Sequence, residues 1–352
     1  MHFCTDMMKN FESLDSFLAA VRDIAPSVTE QAIGTLSPHT VLGYRPAWRR
    51  ERSYHEFAIP KKSGGERRIT APTGTLKDIQ TCIARLLALE YVPHPCAMGF
   101  VPGRSVATNA ALHVGRKYVF NTDLKDFFPS IGAPKVEGAL AASGVEPMTA
   151  RLISTLCCIP VRSEDGRIRN VLPQGSPASP ILSNIACEMM DRRLEGLARR
   201  FGLSYSRYAD DITFSSDHQC YTEGDGFYAP DGEFMRELAA ITSDNGFRLN
   251  AAKTRLARNG DRKEVTGLSV DRKVNVTRDY VKNLRAALFQ MEHRIPTGRE
   301  VEQVRGRLAY MRMVKGKDDP TYMKLGGRFK RIIFKYKAYL KKRQGAESIK
   351  SA

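Results

Sequence analysis

Tyr208-Ala209-Asp210-Asp211 is the stretch that decides the fold, and it lies inside an apolar, β-prone run from Leu203 to Phe214. Two adjacent carboxylates repel each other, and a half-buried strand is an unfavourable place to leave them unpaired. Most Asp-Asp pairs in proteins are solvated turn residues, but a strand–turn–strand that carries one inside an apolar run usually has a cation to neutralise it. Oxygen ligands of this kind favour Mg²⁺ or Mn²⁺ over zinc.

Length and composition describe a globular chain. It has 352 residues, of which 42% are apolar, enough to bury a large core in two or three subdomains. No apolar run approaches the ~20 residues needed to cross a bilayer, and Met1 to Ala20 lacks the basic-then-apolar order of a signal peptide. The seven cysteines include no Cys-x-x-Cys pair, which argues against a zinc knuckle or a disulfide framework. These features predict a cytoplasmic protein, with no membrane partner, whose thiols are small core residues.

The positive charge is concentrated at the C-terminal end. The formal net charge is +17, and residues 276–352 hold 20 Lys and Arg against 7 Asp and Glu, a balance of +13. Such a segment is typical of a polyanion partner, most often nucleic acid, although a cationic surface or a basic membrane-surface helix would have the same composition. Residues 326–344 have the pattern of an amphipathic helix whose basic side chains are predicted to lie on a nucleic acid backbone: Lys330, Arg331, Lys335, Lys341 and Lys342.

Helical and extended patterns alternate along the chain without a regular βαβ rhythm. Short helices are predicted in residues 1–45, hairpins at 54–70 and 264–276, a polar surface loop at 217–232, and helices from 279 to 344. This order favours the α+β class, in which an antiparallel sheet carries the carboxylates and helices back the sheet.

Three further stretches have residue types suited to phosphoryl chemistry. Asp123 ends a predicted strand and would supply the third carboxylate that a pair of metal ions about 4 Å apart requires. The Gln174-Gly175 loop could present amides to a nucleotide, and the cations Lys61-Lys62 and Arg67-Arg68 beside a hairpin tip suit a triphosphate. Taken singly, each has an ordinary alternative: a helix cap or strand-end residue, a loop before a helix, and a charged surface turn.

Taken together and in order, these stretches resemble the successive motifs of a reverse transcriptase across about residues 50–275. The matching motifs are Arg67-Arg68-Ile69, Asp123 to Ile131, Pro173-Gln174-Gly175, Tyr208-Ala209-Asp210-Asp211, Asn250-Ala251-Ala252-Lys253 and Gly267-Leu268. Two further elements are similar to signatures of the bacterial retron reverse transcriptases. These are Asn109-Ala110-Ala111-Leu112-His113, which matches Asn-Ala-x-x-His, and Val265-Thr266-Gly267. A helix face with a structural histidine is the alternative for Asn109 and His113.

The resemblance implies a role for each matching position. Asp123, Asp210 and Asp211 would be catalytic and would bind two Mg²⁺ ions, or Mn²⁺ in their place, with the Leu124 carbonyl as a further ligand. Phe128 would be an aromatic gate against the sugar 2′-OH, while Phe127 beside it would belong to the core. The residues implied at the nucleotide are Lys61, Lys62, Arg67, Asp126, Phe128, Gln174, Gly175 and Lys253. Those implied at the primer and template are Tyr208, Val265, Thr266, Gly267 and Leu268, and the ones implied to bind RNA are the basic residues of 326–344 named above, together with Asn109 and His113.

The resemblance also implies an architecture and a function. The fold would be a right-hand polymerase with an N-terminal helical segment (1–45), interleaved fingers and palm (46–275) and a helical, basic, RNA-binding thumb (276–352). The enzyme would use deoxynucleoside triphosphates and a structured non-coding RNA of the msr–msd type as template and primer. It would extend a guanosine 2′-OH into branched RNA–DNA (multicopy single-stranded DNA), in phage defence with a separate effector protein. The alternatives are an enzyme of the group II intron type, another bacterial reverse transcriptase, and a non-catalytic RNA-binding scaffold.

Overall fold

The α+β class predicted from the sequence is confirmed in a computed structural model of the chain, which describes residues 9–28, 37–61, 64–162, 166–217 and 232–350. Side chains are described as far as residue 340. Lys62, the side chains of Lys341 and Lys342, and the predicted surface loop apart from its end residues 217 and 232 lie outside the described part.

The residues that the structure describes form eleven strands, most of them short: β1 (Tyr54–Pro60), β2 (Glu66–Pro72), β3 (Tyr118–Asp123), β4 (Ile159–Arg162), β5 (Ile168–Val171), β6 (Ser204–Tyr208), β7 (Asp211–Ser216), β8 (Arg255–Ala257), β9 (Glu264–Val265), β10 (Leu268–Ser269) and β11 (Asn275–Val276).

The described residues also contain twelve α-helices: α1 (Leu14–Val28), α2 (Pro38–Leu42), α3 (Ala47–Glu51), α4 (Gly74–Glu90), α5 (Val106–Ala111), α6 (Ala133–Ala142), α7 (Pro147–Cys157), α8 (Ser179–Arg200), α9 (Glu233–Asp244), α10 (Arg278–His293), α11 (Gly298–Lys315) and α12 (Pro320–Lys350).

The chain divides into two compact units, each built from two separate segments. The first unit consists of Met1–Ser105 and Phe120–Leu256, and the second of Val106–Val119 and Ala257–Ala352. The predicted boundaries at residues 45 and 275 between a helical segment, fingers and palm, and thumb stay a prediction.

A four-stranded sheet in the order β6-β7-β3-β8 is the centre of the first unit. Its β6 and β7 pair antiparallel, and alternation along β7 places Ile212 and Phe214 in the core. The Phe214 ring stacks on Tyr205 at 4.9 Å and meets Phe234 of α9 edge-on at 5.1 Å, a geometry that aromatic pairs favour. This packing holds the β6–β7 hairpin, and the carboxylates at its tip, against the body of the unit.

The second unit has a hydrophobic core of its own. Ala110 of α5, Val265 and Leu268 pack together with Leu284 of α10, Leu308 of α11 and Phe329 of α12. Residues 264–276 form a three-stranded antiparallel sheet in the order β11-β10-β9, so the predicted single hairpin is corrected. The third strand was missed because β9, β10 and β11 have only two residues each, too few for an alternating pattern.

Two predictions from composition can be checked in the described residues. Cys82, Cys96, Cys157, Cys158 and Cys187 are free and buried, as expected of small core residues. In the described part of the chain no helix is both long enough and apolar enough to cross a membrane.

Candidate active site

The paired carboxylates stand at the tip of the β6–β7 hairpin. Tyr208 pairs with Asp211, which leaves Ala209 and Asp210 as a two-residue turn. Ala209 has a φ of 57°, in the left-handed region that a residue with a Cβ seldom occupies. Gly99 lies against this turn, because a Cβ built there would stand 2.5 Å from the Ala209 nitrogen. The turn is therefore fixed both by its own pairing and by a glycine that allows close backbone approach.

The end of β3 brings the third carboxylate to the same place. The Leu124 amide donates to the Asp210 carbonyl at 3.0 Å, which ties the strand end to the hairpin tip. Asp123 is 4% exposed, and its carboxyl group shares a hydrogen bond with that of Asp210. The prediction that Asp123, Asp210 and Asp211 converge at strand ends agrees with this geometry.

Two residues that follow in the chain hold Asp123. The Lys253 ammonium forms an ion pair with Asp123 Oδ2 at 2.7 Å, and Asn250 Nδ2 donates to Oδ1 at 3.1 Å. The Asn250 amide also donates to the Asp123 carbonyl at 2.8 Å. The hydrogen bond from Lys253 to Asp123 raises the pKa of the lysine, so its charge is secure at neutral pH.

Even with Lys253 in place, the surroundings of the hairpin tip disfavour three ionised carboxylates. Burial, followed by the neighbouring carboxylates of Asp211 and Asp123, raises the pKa of Asp210 to about 7. Burial and Asp123 also raise the pKa of Asp211, while Lys253 and Arg255 act in the opposite direction. A proton on Asp210 relieves part of this repulsion below about pH 7.

The predicted nucleotide loop Gln174-Gly175 contacts strand β2. The Thr70 amide of β2 donates to the Gln174 carbonyl at 2.8 Å, and Gly175 has a φ of +128°. A Cβ at Gly175 would stand 2.8 Å from Ile69 Cγ2 and 3.0 Å from the Thr70 carbonyl oxygen, so only glycine fits. The Pro173-Gln174-Gly175 loop is thereby joined to the β1–β2 hairpin, on which Lys61 and Arg67 are exposed.

The two adjacent phenylalanines after β3 differ in their environments. Phe127 is 5% exposed and stacks on Phe247 at 5.7 Å, which agrees with the prediction that it belongs to the core. Phe128 is half-buried, and its ring lies 6.1 Å from that of Phe100. Asp126 is exposed and has a φ of 49°. The positive φ of Asp126 marks a tight turn between the strand end and the two rings.

The two retron-like motifs contact each other within the second unit. Asn109 Nδ2 donates to Thr266 Oγ1 at 3.5 Å, and Thr266 Oγ1 donates to the Val106 carbonyl at 3.3 Å. Thr266 and Gly267 have φ values of 47° and 77°, as a two-residue turn between antiparallel strands requires. The side chains of Val265 and Leu268 are fully buried, so any contact with a primer has to come from this turn.

Some of the residues of the second unit that are predicted to bind RNA are buried, and others are exposed to solvent. Asn109 is 1% exposed and His113 is fully buried, and burial lowers the pKa of His113 to about 3, so the ring is neutral. This environment favours the structural interpretation of the two residues. The side chains of Lys330, Arg331 and Lys335 are exposed on α12, while those of Phe329 and Ile332 on the same helix are buried.

Comparison with known proteins identifies the family. A family model described as "Reverse transcriptase (RNA-dependent DNA polymerase)" matches residues 59–284, which are 226 of the 352 residues. The Retron Ec86 reverse transcriptase of Escherichia coli is 32% identical to this chain. The aligned region covers 75% of this chain and 77% of that protein. The chain belongs to the retron reverse transcriptase family.

Two other relatives of this chain come from Myxococcus xanthus. The Retron Mx65 reverse transcriptase is 38% identical and covers 80% of this chain, and the Retron Mx162 reverse transcriptase is 36% identical and covers 74%. The chain spans 66% and 57% of the length of these two proteins, less than two thirds of each.

The carboxylates of this chain fit a divalent cation, which reverse transcriptase domains generally use. In the described residues no group of three His, Cys, Asp or Glu side chains is already spaced as a ligand cluster. Instead, the Lys253 ammonium and, below about pH 7, a proton on Asp210 provide the positive charge. A divalent cation would supply the same charge to the same oxygen atoms, so the donor set and its raised pKa values fit such an ion.

Sequence reasoning missed several residues that hold this site, above all Arg207, Asp191, Asn184 and Asn250. Arg207 is fully buried directly before Tyr208 and pairs with Asp191 of α8. Alternation along β6 carried a signal, because Arg207 shares a strand face with the buried Tyr205. Asn250 lies within a motif that was matched, but the motif alone gave this residue no role.

The raised pKa of Asp210 predicts a pH-dependent effect of metal on stability. In the metal-free protein the folded state holds this proton up to about pH 7, whereas the unfolded carboxyl group releases it near 3.8. The contribution of Asp210 to stability therefore falls as pH rises between these values. A metal ion requires the ionised carboxylate, so we expect Mg²⁺ to raise the melting temperature more at pH 8 than at pH 6.

The measurement is thermal unfolding with and without Mg²⁺ at both pH values. Asp210→Asn should abolish the difference between them, while Asp318→Asn, which changes an exposed carboxylate of the second unit, should preserve it. An equal effect of Mg²⁺ at pH 6 and pH 8 in the unmodified protein would contradict the assignment.

Proposed function

We propose that the chain is an RNA-directed DNA polymerase of the retron type. The observation that carries the proposal is the convergence of Asp123 from β3 with Asp210 and Asp211 from the β6–β7 turn, at a point where their repulsion favours a bound cation. Carboxylates from separate strands are what two-metal phosphoryl transfer needs. Membership of the retron reverse transcriptase family supports the choice of DNA synthesis on RNA.

In this proposal Asp123, Asp210 and Asp211 hold two Mg²⁺ ions, with Mn²⁺ as a substitute and the Leu124 carbonyl as an additional ligand. When bound, the ions lower the pKa of the attacking hydroxyl group and stabilise the charge of the leaving pyrophosphate. Lys253, which is paired with Asp123, becomes available to the pyrophosphate once the ions neutralise that carboxylate.

The remaining nucleotide contacts are assigned by position. Gln174 and Gly175, joined to β2 at Thr70, contact the incoming deoxynucleotide, and Arg67 with Lys61 or Lys62 binds its triphosphate. Phe128, which is half-buried beside the strand end of Asp123, excludes the 2′-OH of a ribonucleotide by its bulk. Asp126 lies in the turn between them, and Tyr208 packs under the primer terminus.

The RNA partner is a structured non-coding RNA of the msr–msd type that serves as template and primer. The exposed basic residues of α12 support this part of the proposal, because Lys330, Arg331 and Lys335 form a cationic surface over a buried apolar side of the helix. Synthesis begins at a guanosine 2′-OH and gives branched RNA–DNA. Its biological role is phage defence together with a separate effector protein.

Removing two metal-binding carboxylates should abolish synthesis. Asp210→Asn with Asp211→Asn keeps the side-chain volume but removes two negative charges, so we expect deoxynucleotide incorporation to fall by roughly 100-fold or more. Primer extension on the RNA that copurifies with the protein, in Mg²⁺, is the measurement. Asp244→Asn, which breaks an exposed ion pair with Arg193, is the control and should remain active. Unchanged incorporation by the double variant would show that the metal assignment is wrong.

The priming step can be tested on the RNA. Replacing the priming guanosine of the copurified RNA by 2′-deoxyguanosine removes the nucleophile, so we expect no covalent RNA–DNA product on a denaturing gel. An annealed DNA primer should restore extension on the same RNA, which separates priming from polymerisation. Equal yields of RNA-linked DNA from both RNAs would exclude initiation at the 2′-OH while leaving the polymerase assignment intact.

The gate predicts a change in sugar selectivity. Phe128→Ala removes the ring that would meet a 2′-OH, so the preference for deoxynucleotides over ribonucleotides in kcat/KM should fall by about 10-fold or more. Phe128→Tyr keeps the bulk and should keep the preference. The two kcat/KM values are measured by single-nucleotide incorporation, and a preference unaffected by Phe128→Ala would assign the gate to another residue.

A further inference from the structure

Arg207 is a fully buried cation one residue before the metal-binding turn. Its Nε and Nη2 atoms donate to the two carboxylate oxygens of Asp191 at 2.8 and 2.6 Å, and neither side chain is exposed. Asp191 also accepts a hydrogen bond from the Tyr205 hydroxyl at 2.9 Å. A guanidinium can remain charged in such a place only when its partners are fixed. Here the charged partner, Asp191, belongs to α8, the long helix behind the sheet.

The guanidinium has donors left after this pairing, and one of them reaches the catalytic turn. Arg207 Nη1 donates to the Ala209 carbonyl at 3.1 Å, and Nη2 also donates to Asn184 Oδ1 at 3.2 Å. Ala209 is the turn residue with a φ of 57°, between Tyr208 and Asp210. Such a conformation in a residue other than glycine persists only where the surroundings hold it.

The same network reaches the chain that packs on the other side of the turn. Asn184 Nδ2 donates to the Gly99 carbonyl at 2.9 Å, and the Met98 amide donates to the Arg207 carbonyl at 2.7 Å. Gly99 is the residue whose backbone contacts Ala209. Arg207 and Asn184 therefore connect both sides of the turn to α8.

We propose that Arg207 is a positioning residue for the metal-binding carboxylates, because it holds the Ala209 carbonyl and thereby sets the directions of Asp210 and Asp211. The ion pair alone does not require this role, since a buried pair can often be replaced by apolar residues without loss of stability. An apolar pair, however, donates no hydrogen bond to the Ala209 carbonyl. The inference rests on the proposed polymerase function, in which these carboxylates bind metal.

The decisive variant removes the donor while preserving the packing. Arg207→Met with Asp191→Leu replaces the ion pair by apolar side chains. Because the buried Tyr205 hydroxyl loses its acceptor, we expect a folded protein with a modestly lower melting temperature. The dissociation constant for Mn²⁺, measured by electron paramagnetic resonance on the metal-free protein, should rise by about 10-fold or more. In primer extension kcat should fall by a similar factor, partly recovering at high Mg²⁺, while the KM for RNA stays unchanged.

Tyr205→Phe is the matched control within the same network. It removes one hydrogen bond to Asp191 but retains the contact between Arg207 and Ala209, so the Mn²⁺ affinity should equal that of the unmodified protein. Should the double variant fail to fold, Arg207→Lys provides the test. Its single ammonium can pair with Asp191 but cannot also reach the Ala209 carbonyl, so the same loss of Mn²⁺ affinity is expected.

A folded double variant, or a folded Arg207→Lys variant, with unchanged Mn²⁺ affinity and kcat would overturn the inference. Equal losses of Mn²⁺ affinity in Tyr205→Phe and in the double variant would also overturn it, because the effect would then belong to the network in general. Since Mn²⁺ binding is measured without nucleic acid, an unmodified protein that makes no DNA would refute the polymerase function without deciding the role of Arg207.

Discussion

Repulsion among three carboxylates is the constraint on which the rest of the first unit depends. Asp123, Asp210 and Asp211 come from a strand end and a tight turn, and the partial burial that brings them together also raises the pKa values of the two hairpin residues. A solvated hairpin would relieve the repulsion by opening. The surrounding structure keeps these groups in place through the Leu124–Asp210 backbone hydrogen bond, the Lys253 ion pair and the glycine contact at residue 99. A fold that holds like charges together in this way is prepared for a cation.

Asp123 and the β6–β7 hairpin are held in place by different kinds of contact. Lys253 and Asn250 hold Asp123 by its carboxylate oxygens, so they compete with a metal ion for the same atoms. Arg207 holds the hairpin by a backbone carbonyl and leaves the side chains of Asp210 and Asp211 available. One side is therefore adjustable when a ligand enters, whereas the other is a fixed support anchored in α8.

Sequence reasoning recovered those parts of the site that short patterns encode. The apolar, β-prone run around Tyr208–Asp211 predicted the hairpin, and the strand before Asp123 predicted the third carboxylate. The different roles of Phe127 and Phe128 came from the resemblance to reverse transcriptases, and the burial of Phe127 agrees with its predicted place in the core. Strand β4 was missed because its four residues, Ile159–Arg162, follow directly on α7 and include a proline. Arg207 was missed because its partner, Asp191, is 16 residues away on a helix, and only tertiary packing makes that distance short.

The construction of the second unit from two distant segments has a consequence for how this protein can be divided or recombined. The hydrogen bond between Asn109 and Thr266 joins residues 157 positions apart, and Ala110 shares its hydrophobic core with Val265, Leu268 and the C-terminal helices. A C-terminal fragment that begins at α10 would lack α5 and the strands β9 and β10, which contribute to this core. Exchanging the C-terminal part between related chains would create the same mismatch unless residues 106–119 were transferred with it. The part that can be exchanged as one piece is thus a discontinuous pair of segments.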